Sequence, residues 1–349
     1  MTDLARSLVI TAVGGDMGQA LVKAARLFAR PVTIIGTDAE ADGIGPAFAD
    51  TFAILPLADD PGYIEALDEL CSARGASAVV PAAEAEIRVL SRLRGLTLPS
   101  GTPVVCQSAD VIDVAGDKLA CMRALEGIVP LAAFADGAHR SAVDDLVAVA
   151  GFPLVVKARV GSGSRSLRVA TDDRTLAAAL SSADRGLIVQ QYIDGDSEEY
   201  SVGVFRAGTL SAGIVLRRTL GPVGCSWDAV VVEDEEVLAY ALAVAERLGV
   251  VGGVNVQVRR SSDGVRLLEV NPRFSSLVAA RAAAGFNDLE WSVELVLGGE
   301  QTVAIGPYAP IRFRRFFHEV IVTEDGPAAV AEWSPRTRNV AELRRERGE

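Results

Sequence analysis

Residues 267–275 read LLEVNPRFS, a hydrophobic run that ends in a carboxylate, an amide, a proline and a guanidinium. On an extended chain successive side chains point to opposite faces, so the spacing predicts that Glu269, Asn271 and Arg273 look the same way. Burying an unpaired carboxylate is costly, so this face needs a compensating charge, either a partner such as Arg273 or a bound cation. The segment just before it, VNVQVRRSSDGVRLLEVN (254–271), reads as two strands joined by a turn. A loop of Ser262, Asp263 and Gly264, with Gly264 in the left-handed conformation, sets Gln257 opposite Glu269. Gln257, Glu269 and Asn271 then bring hard oxygen donors to one patch of sheet, which suits Mg²⁺ completed by waters and phosphates.

Phosphates need partners of their own. Lys118 opens a helix whose predicted N-cap is Asp117. Lys157 lies within the strand FPLVVKARV (152–160), where an ammonium among valines needs an anion. GSGSRS (161–166) follows, a glycine-rich chain whose amides can approach a polyphosphate, with Arg165 adding charge; its plainer reading is a mobile hairpin loop.

Taken in order, Asp117-Lys118, PLVVKARVGSGSRS (153–166), IVQQYIDGDSEEYSV (188–202), NVQ (255–257) and LLEVNPR (267–273) resemble the nucleotide site of ATP-grasp enzymes. The last two motifs are most similar to the carbamoyl phosphate synthetase large subunit and its stand-alone relatives. The resemblance implies an α/β chain: an N-terminal Rossmann-like pre-ATP-grasp domain (1–116), then an ATP-grasp fold whose two α+β subdomains clamp ATP (117–305, lid about 125–190). A C-terminal segment, 306–349, would pack on the core and end in an Arg/Glu-rich tail.

Carried over residue by residue, the resemblance assigns Lys118 and Lys157 to the ATP phosphates and the loop Gly161, Ser162, Gly163, Ser164 and Arg165 to a lid above them. Gln190, Gln191, Tyr192 and Ile193 become the hinge whose backbone reads adenine, and Glu199 reaches the ribose. Gln257, Glu269 and Asn271 hold two Mg²⁺ ions, with Mn²⁺ as a substitute, and Arg273 stabilises the transferred phosphoryl group. Three positions depart from the pattern: Gln191 stands where glutamate is common, Ser166 where glycine is common in the lid, and lysines 118 and 157 where the synthetase has arginines. Nothing corresponds to a second synthetase half or a glutaminase, so complete carbamoyl phosphate synthesis is not expected.

The implied chemistry is phosphorylation of a carboxylate by ATP and attack of an amine on the acylphosphate, giving an amide, ADP and phosphate. Two alternatives stay open, a kinase acting on bicarbonate or carbamate and a non-catalytic ATP-binding regulator. Small-molecule carboxylate and amine substrates follow, with a homodimer as the assembly its relatives suggest. Arg217 or Arg218, in GIVLRRTL (213–220), is placed either to orient a substrate carboxylate or to form an ordinary surface ion pair. Trp227, in LGPVGCSWD (220–228), either lines an acceptor pocket or turns the chain.

Upstream, SLVITAV (7–13), Gly14, Gly15, Gly18 and a helical repeat of Met17, Leu21 and Phe28 read as strand, turn and helix. PVTIIGTD (31–38) ends in Asp38, as in a dinucleotide-binding unit, but Val13 stands where the first glycine of that fingerprint belongs. A tight turn packing helix on sheet is the better reading. Strands alternating with helices, ending in TPVVC (102–106), predict a parallel doubly wound sheet.

Composition bounds the rest. A chain of 349 residues makes about two domains. A net charge of −12, from 34 basic and 46 acidic residues, speaks against nucleic acid as the partner. The two histidines, His139 and His318, exclude a zinc triad or a histidine relay, and the four separated cysteines exclude a disulfide framework. No apolar run reaches the ~18 residues that span a bilayer, and MTDLARSLVITAVGG runs directly into a strand and turn, so a cytoplasmic protein without membrane attachment is expected. RTRNVAELRRERGE (336–349) interleaves its charges as a solvated helical end does.

Overall fold

The computed structural model describes residues 6–40, 43–161, 167–181, 186–193, 198–221, 224–299 and 303–316, with the backbone of 322–323 and 326–327. The N-terminal part is built from β1 (Ser7–Ile10), α1 (Asp16–Ala25), β2 (Thr33–Asp38), β3 (Thr51–Ile54), α2 (Tyr63–Arg74), β4 (Ala78–Val80) and α3 (Glu84–Leu90). Its strands form a parallel sheet in the order β3-β2-β1-β4. The doubly wound arrangement explains why β1 and β4 are apolar on both faces: Leu8, Val9, Ile10, Val79 and Val80 are all fully buried between helices. The expected strand at 102–106 is reduced to two isolated bridges, Val104 parallel to Val79 and Pro103 antiparallel to Thr97.

The glycine turn after β1 packs helix on sheet. A Cβ on Gly18 would lie 2.2 Å from the Ala12 carbonyl, so only glycine lets α1 approach there. Asp38 does not wait for a ribose: its Oδ2 accepts from the Gly14 N–H at 2.8 Å, filling the turn with the protein's own carboxylate.

Helices α4 (Ala109–Gly116) and α5 (Lys118–Leu125) lead into a smaller antiparallel sheet. It comprises β5 (Phe134–Asp136), β6 (Leu154–Ala158), β7 (Arg168–Ala170) and β8 (Leu187–Gln191), ordered β5-β8-β6-β7. Helices α6 (Arg140–Ala150) and α7 (Asp173–Ser181) cover one face, packing on Leu154, Val156 and Val189. By alternation Lys157 falls on the other face.

The large antiparallel sheet holds β9 (Glu199–Ala207), β10 (Leu210–Leu220), β11 (Ser226–Val232), β12 (Gly252–Ser261), β13 (Gly264–Asn271) and β14 (Arg312–Arg314), in the order β13-β12-β9-β10-β11-β14. Between β11 and β12, α8 (Glu235–Arg247) packs with α5 on the apolar face lined by Val202, Val204, Val254, Val256, Val258 and Val270. Helices α9 (Val278–Ala283) and α10 (Asp288–Val296) follow β13 and contact α1. Strand β14 lies at the edge of this sheet, paired with β11. Residues 317–349 form a separate unit, in which Val322–Thr323 pairs with Gly326–Pro327. The charged tail lies outside the described residues. Among the described residues no helix is long and apolar enough to cross a membrane.

The hairpin over residues 254–271 reaches the expected pairing by another route. Its loop is Ser262 and Asp263 alone, with Ser261 paired to Gly264, whose φ is 98°. A two-residue loop by itself would set Gln257 against Leu268. A bulge after Gln257 leaves Leu268 without a partner on β12 and restores Gln257 opposite Glu269. The bulge also explains why Leu267 and Val270, three apart, both enter the core beneath the sheet.

Candidate nucleotide site

The polar face of the large sheet is opposite its valines. Glu199 and Ser201 of β9, Arg218 of β10, and Asn255, Gln257 and Arg259 of β12 alternate with core residues and share this face. Glu269 and Asn271 join it because Val270 points into the core. The Asn271 amide nitrogen donates to Glu269 Oε1 at 3.1 Å, which fixes the amide and keeps its oxygen as the remaining acceptor end.

Lys118 meets this carboxylate from the start of α5. Asp117 caps the helix by accepting from the N–H groups of Leu119 and Ala120, as expected, and is itself held by Arg159 at 2.6 Å. Lys118 Nζ donates to the Gly161 carbonyl at 2.7 Å and lies 3.7 Å from Glu269 Oε2. Lys157 reaches the same strand from the small sheet, donating to the Leu268 carbonyl at 3.1 Å; this is the residue the bulge leaves without a partner. Desolvation lowers the Lys157 pKa to about 8, with Lys118 also lowering it and Glu269 acting the other way.

Arg273 departs from the alternation. Strand β13 ends at Asn271, the Arg273 N–H turns back to the Asn271 carbonyl at 2.7 Å, and its guanidinium pairs with Glu84 of α3 at 3.0 Å. It nevertheless lines one cavity with Lys118, Gly161, Glu269, Asn271 and Glu84. Glu84 carried no sequence signal, because only the folded chain brings it across 189 positions to Arg273.

Glu199 and Gln257 do not point freely into this cavity. Arg218 Nη2 donates to Glu199 Oε1 at 2.5 Å and to Gln257 Oε1 at 2.6 Å. Arg259 Nη2 donates to the other Glu199 oxygen at 2.9 Å, while its Nη1 donates to the Ile193 carbonyl at 3.1 Å. Burial pushes the Glu199 pKa up, but Arg218 and Arg259 outweigh it and hold the carboxyl below its ordinary value. The signal for Arg259 was its spacing, two residues past Gln257 on the same face. Arg217 is the surface member of its pair, bound to Glu198 at 2.6 Å and half exposed.

At the hinge, Gln190 is buried on β8, the Gln191 N–H donates to the Ala133 carbonyl, and the Tyr192 N–H donates to the Pro153 carbonyl. Ser162, Gly163, Ser164 and Arg165 lie outside the described residues. The thiols of Cys71, Cys106 and Cys121 are pushed up to about 12 by burial and stay protonated.

A small antiparallel sheet facing a larger one across lysines and a carboxylate, behind a parallel α/β domain, defines an ATP-grasp architecture. Solved structures of similar fold agree: the biotin carboxylase domain of Hydrogenobacter thermophilus 2-oxoglutarate carboxylase, in complex with MgADP, ADP and bicarbonate, superposes with a TM-score of 0.69 at 15% identity over 86% of this chain and 71% of that one. N5-carboxyaminoimidazole ribonucleotide synthetase from Thermus thermophilus gives 0.67 at 20% identity over 87% and 80%.

In sequence, residues 183–316 match the family model described as ATP-grasp in the biosynthetic pathway with Ter operon, and residues 8–105 match the PylC-like N-terminal domain. The chain therefore carries an ATP-grasp domain behind a PylC-like N-terminal domain, and it is homologous to the carbamoyl phosphate synthase large chain. That of Gemmatimonas aurantiaca is 29% identical over 50% of this chain, and the arginine-specific one of Eremothecium gossypii 28% over 57%. The matched stretches span 18% and 19% of those relatives' lengths.

Proposed function

We propose that this chain is an ATP-dependent carboxylate–amine ligase that acts in the cytoplasm on small-molecule substrates and assembles as a homodimer. The observation that carries the reading is the convergence of Lys118, Glu269, Asn271 and Arg273 on one cavity, with Lys157 bound to the same strand. Among the described residues five cations, Lys118, Lys157, Arg218, Arg259 and Arg273, stand with three carboxylates, Glu84, Glu199 and Glu269, and such an excess favours a polyanion.

In this reading Lys118 and Lys157 bind the phosphates, residues 190–193 read adenine, and Glu199 reaches the ribose. Glu269 and Asn271 offer the hard oxygens that fit Mg²⁺ or Mn²⁺, one anionic and one neutral. The ion would neutralise charge on the phosphates. Arg273, held in place by Glu84 and the Phe274 carbonyl, stabilises charge on the phosphoryl group as it passes to the acceptor carboxylate. An incoming amine then attacks the acyl carbon of the acylphosphate, forming the amide and releasing inorganic phosphate.

The test is to incubate the protein with ATP, Mg²⁺ and pairs of carboxylic acids and amines, following phosphate release and condensed products by mass spectrometry. An amide formed with one ADP per bond supports the ligase. The synthase relatives favour a second reading, which the same assay detects as ADP release stimulated by bicarbonate with no amine required. Nucleotide binding without turnover on any pair or on bicarbonate would refute both and leave a regulator.

A further inference from the structure

Arg218 is 8% exposed in its side chain, and each guanidinium nitrogen has a partner. Nε and Nη2 grip Glu199 at 3.1 and 2.5 Å, Nη2 also donates to Gln257 Oε1 at 2.6 Å, and Nη1 donates to Ser226 Oγ at 3.2 Å. The Gln257 oxygen is the atom that a second metal ion beside Glu269 would need. An amide adds no negative charge, so it cannot hold a guanidinium and a divalent ion together without close cation repulsion. Glu199 does not cancel the charge either, because it is shared with Arg259 at 2.9 Å. Among the described residues neither arginine has another carboxylate within ion-pair distance. Among the described residues one positive charge therefore remains uncompensated next to Gln257, on the face that carries Glu269.

We propose that Arg218 takes the place of a second cation: the site binds one divalent ion, on Glu269 and Asn271, and the Arg218 guanidinium provides the positive charge beside Gln257. This rests on the nucleotide site proposed above. It makes Arg218 a positioning residue for Glu199 and Gln257, and it makes Gln257 an acceptor for Arg218 in place of a metal ligand.

The test counts Mn²⁺ by electron paramagnetic resonance on the full chain with a non-hydrolysable ATP analogue. The expected result is one ion per bound nucleotide, an affinity that falls roughly tenfold or more in Glu269→Gln, and no change in Gln257→Ala. Two ions per nucleotide in the unaltered protein would overturn the proposal, as would a loss in Gln257→Ala equal to that in Glu269→Gln. Those outcomes leave the nucleotide site standing. Failure of the analogue to bind at all would instead overturn the nucleotide site, and this proposal with it.

Discussion

Lys157 offers the sharpest test of the phosphate assignment, because its charge depends on what lies against it. Its pKa is lowered from 10.5 to about 8 by burial. At 1.36 kcal/mol per pKa unit the difference sets a ceiling of about 3 kcal/mol on the cost of keeping the ammonium charged, less whatever water screens. The sign follows from proton counting. Between about pH 8 and the ordinary lysine range the unfolded chain binds the proton and the folded chain does not, so this group makes stability rise with pH there. Binding has the opposite dependence. A phosphate against Nζ needs the charged form, so above pH 8 the complex must take up a proton, and the Kd should weaken by up to ~10-fold per pH unit. The assay is calorimetric titration of a non-hydrolysable ATP analogue from pH 7 to 9.5, in buffers of different ionisation enthalpy to count protons. Lys157→Met should bind more weakly at pH 7 and lose the slope. A flat Kd in the unaltered protein, or the same slope in the variant, would refute the assignment.

Glu269→Gln should abolish ATP turnover and leave the melting temperature within a few degrees, because the carboxylate is part-exposed and holds up no core; turnover near normal would remove Glu269 from the chemistry. Arg281→Met should cost about 3–5 kcal/mol in denaturant unfolding, since it strands Asp288, which is fully buried and paired at 2.6 Å. Burial already pushes the Asp288 pKa up, with Arg281 opposing, so the deficit should narrow as pH falls and the stranded carboxylate protonates; a deficit that widens with acid would contradict this. Glu84→Gln should lower kcat more than the apparent KM for ATP while changing stability by less than about 1 kcal/mol, because it frees the guanidinium of Arg273 from its partner; an unchanged kcat would show that Arg273 needs no such support.

Period-two patterning makes the strands of both antiparallel sheets readable, and with the hairpin turn it puts Glu269, Asn271 and Gln257 on one face from the order of residues alone. The length of that turn was not readable, because Gly264 at positive φ serves a two-residue and a three-residue loop equally well. Two unread features, the short loop and the Leu268 bulge, cancel in register, which is why Gln257 still meets Glu269. Arg273 illustrates a different limit. Proline at 272 ends the strand, and once the chain turns, the side chain's direction is set by Glu84, a partner that periodicity cannot supply. Arg218 shows a third limit: sequence puts it in a strand candidate, GIVLRRTL, but the partner of its guanidinium follows from the pairing of that strand with Glu199, which the order of residues does not give.

That a chain of net charge −12 should hold a polyanion is a question of distance. At physiological ionic strength exposed charges act over a Debye length of about 8 Å, so acidic residues on outer helices are screened from the cavity while side chains lining it are not. Inside that radius the balance reverses, with Lys118 at 3.7 Å from Glu269 and Lys157 bonded to the neighbouring carbonyl. The carboxylates there are each already committed, Glu199 to two arginines, Glu84 to Arg273, and Glu269 to Asn271 and Lys118. In the proposed nucleotide site an incoming phosphate would therefore meet neutralised acids, Lys157 on a backbone carbonyl, and Lys118 shared between the Gly161 carbonyl and Glu269. On that proposal, exchanging those carbonyls for a charged oxygen favours an anion, and screening keeps the outer acidity from opposing it.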